Sequence, residues 1–138
     1  MKVLGMLLIG LSFLIFPSNS AADVQSRCGD YLREAMDIGA QVQQLKEEKR
    51  YLSHRVSTGR SRNVRADRSR TGELAQQIRE LERNYESAAQ RFSQCVERYK
   101  EDLNRQYRNR EITRDEYRFG QKEALHMMDQ LLPIPGNW

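Results

Sequence analysis

The residue types able to do chemistry are few, and their spacing decides what they can do. The two cysteines, Cys28 and Cys95, stand far apart in the chain. They match neither a paired redox motif nor a zinc-ligand spacing. His54 and His126 lie in different parts of the chain with no second ligand nearby, so both read as surface histidines and no metal site is expected. Acidic pairs such as Glu47–Glu48 fall in charged helical sequence, where nothing would shift their pKa values. The glycines are scattered and form no phosphate loop. No nucleophile, base and orienting group can be assembled, so a non-enzymatic protein without a cofactor is expected.

One charge feature is localised. Residues 59–72 read GRSRNVRADRSRTG and hold Arg60, Arg62, Arg65, Arg68 and Arg70 beside one acid, Asp67. Guanidinium forks suit phosphate and carboxylate groups. The same composition also suits a solvated, tolerant loop. Aromatic residues that would stack bases are absent from the stretch.

The chain begins with Lys2, an apolar run from Val3 to Phe16, Pro17, and then small residues up to Ala22. Ser20 and Ala22 sit at the −3 and −1 positions of a cleavage before Asp23, the layout of a secretory signal peptide over 1–22. Fourteen apolar residues are short of the roughly 20 a membrane span needs. Gln25–Ser26–Arg27 before Cys28 lacks the small apolar residues of a lipobox. The expectation is an exported protein, periplasmic or extracellular after cleavage. Removing one lysine and no acid lowers the net charge from +4 to +3. Export argues against nucleic acid as a partner and makes a disulfide the expected cysteine chemistry.

The elements that carry these residues follow from hydrophobic period. No proline occurs between residues 18 and 132. With Cys28 at heptad position a, the a series runs Cys28, Ala35, Val42, Lys49, Val56 and the d series Val24, Tyr31, Ile38, Leu45, Leu52. A second run places Ile78, Tyr85, Phe92, Tyr99 at a and Leu74, Leu81, Ala88, Cys95 at d. This is the narrow seam of a coiled coil. A Cys28–Cys95 bridge joins an a to a d position, as an antiparallel pair requires. It sets Val24 against Tyr99, Tyr31 against Phe92, Ala35 against Ala88, Ile38 against Tyr85, Val42 against Leu81 and Leu45 against Ile78. Lys49 against Leu74 is the first poor layer, where the hairpin should loosen. The expected fold is all-α: an antiparallel coiled-coil hairpin over 23–110, stapled by one disulfide, with an Arg-rich loop at 57–71. Thr71 would cap its second helix, with Glu73 in the first turn.

A third helix is expected over 111–132. Thr113 and Glu116 form a capping box, with Ile112 and Tyr117 as a hydrophobic staple. Tyr117, Leu125 and Met128 lie on its apolar residues, which could fold back on Leu103 and Tyr107 or meet a partner. Residues 133–138 form an apolar tail in which Ile134 and Trp138 could also contact a partner. Leu103, Tyr107, Glu111–Ile112–Thr113–Arg114–Asp115–Glu116–Tyr117, Lys122 and Leu125 resemble the short C-terminal (SHOCT) helical hairpins over about 25 residues. The chain departs from that pattern at Arg110, where a glycine is usual, and at Phe119–Gly120 inside the helix. The resemblance implies an oligomerising element, hence a homo-oligomer.

The expected function is an exported structural or adaptor protein, working through a protein partner and an anionic envelope component. The alternative is an ATP-independent periplasmic chaperone or envelope-stress protein, a reading by general character.

Overall fold

The structure, a computed structural model, describes residues 23–131. The expected signal peptide at 1–22 and the tail with Ile134 and Trp138 lie outside these residues. Three helices follow in order: α1 Val24–Ser57, α2 Val64–Arg108 and α3 Arg114–Gln130. Helices α1 and α2 form the antiparallel hairpin, and α3 folds back on its base.

Each end has a local cause. Asp23 caps α1 by accepting from the Gln25 N–H at 3.1 Å. At the other end of α1, Gly59 takes φ +68°, and the Gly59 and Arg60 N–H groups donate back to Val56 and Arg55. This is a Schellman ending, which favours glycine at the left-handed position. Helix α2 ends the same way: Arg110 and Glu111 donate to Tyr107 and Gln106. Here the left-handed residue is Arg110, at φ 59°. That is where the SHOCT-like segment lacks its usual glycine. The capping box of α3 is present in full, Thr113 accepting from the Glu116 N–H and Glu116 from the Thr113 N–H.

The loop expected at 57–71 is corrected to a turn over 58–63, because α2 begins eight residues earlier than expected. Asn63 supplies the cap, accepting from the Ala66 N–H at 3.1 Å. Thr71 is interior to the helix and its hydroxyl donates back to the Asp67 carbonyl. Arginine and alanine extend a helix readily, and one glycine at 72 costs only about 1 kcal/mol. The tip does not loosen at Lys49 either: Leu52 and Leu74 are both buried.

Cys28 and Cys95 are bonded, with Cα atoms 5.8 Å apart. Val24, Cys28, Phe92 and Tyr99 share one core cluster, and Ala35, Tyr85 and Ala88 share a second with Ile38 against it. One layer departs from expectation. Tyr31 is 41% exposed, and Leu32 is buried in its place. The reason is α3. Leu32, Val96 and Leu103 all occupy heptad position e, and they form the platform on which Ala124 and Met127 of α3 pack. At the base the apolar surface is therefore wider than an a/d seam. Farther up, the same e–e side is closed by an ion pair, Lys46 with Glu82 at 2.8 Å. On the opposite g–g side, ion pairs join Arg91 to Glu34 at 2.8 Å and Arg70 to Glu48 at 3.0 Å.

Candidate functional site

The five arginines do not form one site. Arg60 and Arg62 lie in the turn; Arg65, Arg68 and Arg70 stand on α2. Arg70 is held across the hairpin, donating from Nε to Glu48 Oε1 at 3.0 Å and lying 3.6 Å from Glu73. The Glu48 hydrogen bond, and then its charge, raise the Arg70 pKa further. Arg55 and Asp67 form a second cross-pair at 3.4 Å, an ion contact in which Asp67 Oδ2 lacks hydrogen-bond geometry. Arg60, Arg62, Arg65 and Arg68 are exposed and make no ion pair among the described residues. The tip thus holds four open guanidiniums beside two that lock the hairpin.

The base holds the other candidates. Tyr117 is spent on internal packing: its ring stacks on Tyr107 at 4.7 Å between centroids, and its hydroxyl donates to Asn104 Oδ1 at 2.7 Å. Met128 packs against the core beneath α3. Of the residues expected to meet a partner, Leu125 alone among the described ones stays open, at 60% exposure. Phe119, which sequence reasoning passed over, is 63% exposed on the same helix. Its neighbour Gly120 is buried, and that explains the Phe–Gly step: α3 crosses α2 there with no room for a side chain.

Where α3 meets the start of α1, the Glu123 carboxyl faces that of Asp23. Burial, then the Asp23 charge, push the Glu123 pKa up. Tyr99 lies at the same junction, its pKa raised chiefly by burial.

An open groove of about 430 Å³ runs beside the disulfide, lined by Arg27, Tyr31, Arg91, Arg98 and Asp102 among others. Its cations are largely neutralised from within, Arg27 by Asp102 at 2.9 Å and Arg91 by Glu34. Among the described residues no cluster of His, Cys, Asp or Glu could hold a metal ion. No helix among them is long and apolar enough to cross a membrane.

Sequence reasoning missed the e-position platform. The signal was there: Leu32, Ala89, Val96 and Leu103 are apolar at e, whereas Arg27, Glu34, Arg91 and Arg98 at g are charged. An asymmetric flank of that kind marks a third helix. No family model matches the chain, and neither a curated protein nor a solved structure does.

Proposed function

We propose that the chain is an exported, non-enzymatic adaptor: a stapled rod that carries one contact surface at each end. One observation carries this reading. Four unneutralised arginines stand at the tip, and exposed Phe119 and Leu125 stand on α3 at the base. The 34 residues of α1 between them span about 50 Å at roughly 1.5 Å each. A disulfide and cross-helix ion pairs stiffen that span. The partner at the base is a protein, and the SHOCT-like resemblance makes a second copy of this chain the first candidate.

Photo-crosslinkers at positions 65 and 125 in cells test the two ends. Distinct adducts from the two positions are expected, with Phe119→Ser losing the base adduct while the helical content is kept. The same adduct from both positions, or none from 125, would refute the two-ended reading. Point variants serve better than removing α3, because its loss would bare Leu32, Val96 and Leu103. The chaperone alternative is separated by mixing the protein with unrelated aggregating clients; suppression at near-stoichiometric amounts would favour it.

A further inference from the structure

The early start of α2 changes the electrostatics of the tip. Arg65 and Arg68 fall in its first two turns, where free peptide N–H groups and the helix dipole already make the potential positive. Cations at that end of a helix oppose local preference, and Asp67 is the one acid in the first turn. Asp67 itself faces Arg55. Arg60 and Arg62 add two more exposed charges immediately before the helix. A local rule broken without compensation inside the fold points to compensation from outside. We infer that Arg60, Arg62, Arg65 and Arg68 form a head that docks the rod on an anionic phospholipid surface, each guanidinium taking a lipid phosphate. This rests on the adaptor reading and names its partner at the tip.

The tip favours lipid over protein for a compositional reason. Protein interfaces draw their affinity from buried aromatic or aliphatic anchors. Across residues 58–70 the one large apolar side chain is Val64, 39% exposed. A charged headgroup layer needs no anchor, since its attraction accumulates charge by charge and phosphates accept the guanidinium fork. Arg55 and Arg70 stay outside the head, because acids of the hairpin already neutralise them.

The oxidised protein is co-sedimented with phosphatidylcholine vesicles with and without phosphatidylglycerol. Binding to the anionic vesicles alone is expected, weakening as salt rises. Each Arg→Ser change among the four should weaken partitioning about fivefold, and the fourfold variant should fall to the phosphatidylcholine level. Arg70→Ser should leave partitioning nearly unchanged yet melt earlier. Arg65→Ser with Arg68→Ser should melt no earlier than the parent, which excludes unfolding as the cause of lost binding. Equal binding to both vesicle types, or full binding by the fourfold variant, overturns the assignment. Displacement by inorganic phosphate beyond that by chloride at equal ionic strength makes free phosphate the ligand and also overturns it. If vesicles fail while position 65 crosslinks to a protein, the adaptor reading stands and the lipid assignment falls.

Discussion

Gly120 of α3 lies so close to Leu103 of α2 that a Cβ there would stand 2.7 Å from Leu103 Cδ1 and 2.9 Å from the Tyr99 hydroxyl. The third helix owes its seat to the absence of one carbon. Gly120→Val should cost about 1–3 kcal/mol and detach α3. Amide exchange would show protection lost across 114–130, with the upper hairpin unchanged. Gly120→Ala should cost less, because the Leu103 side chain can give way.

The Cys28–Cys95 bridge closes 67 residues of separation in a thin fold. Replacing both cysteines by alanine should lower unfolding stability by roughly 4 kcal/mol in the chain-entropy account. Denaturant melts with and without reductant check this. The parent protein should run as a monomer on non-reducing gels and titrate no free thiol.

The two Schellman endings predict opposite effects. Arg110 holds a left-handed conformation that costs a side-chain-bearing residue about 1 kcal/mol, so Arg110→Gly should stabilise by about that much. Gly59 has open space around its Cβ position but φ +68°, so Gly59→Ala should destabilise by a similar amount. Thermal melts of the two variants should move in opposite directions.

Two glutamates on α3 give its docking a two-sided pH dependence. Burial and the Asp23 carboxylate raise the pKa of Glu123. Its protonated form suits the fold, so that contribution is full below the unfolded value and is lost as pH rises through the folded one. The Thr113 N–H, and then the Thr113 hydroxyl, lower the pKa of Glu116. That contribution is present above the unfolded value and is lost as pH falls through the folded one. Arg27 and Tyr99 face the same junction. Amide protection of α3, corrected for intrinsic rates, should therefore peak at mildly acidic pH. Glu123→Gln should flatten the high-pH limb and Glu116→Gln the low-pH limb.

Much of the hairpin could be read from residue types alone. Heptad period, cysteine parity and the Thr113–Glu116 box are local or strictly periodic signals, and each led to an element present in the structure. The arginine stretch was harder. Gly59 and Gly72 look equivalent as letters, but only Gly59 has positive φ, and Gly72 lies inside α2. Which arginines are open could not be read locally either, because the counter-charge of Arg70 comes from Glu48 on the other helix.

By itself the sequence determined the helical class, the antiparallel register and the bridge, since a period of seven and one disulfide admit few arrangements. Tertiary structure alone decided where α2 begins, why Leu32 rather than Tyr31 is buried, and which arginines of the 60–70 stretch remain open. Those outcomes depend on groups brought together from distant parts of the chain. Packing of α3 redefines the apolar face, and cross-helix pairing consumes charge that the linear sequence leaves unassigned.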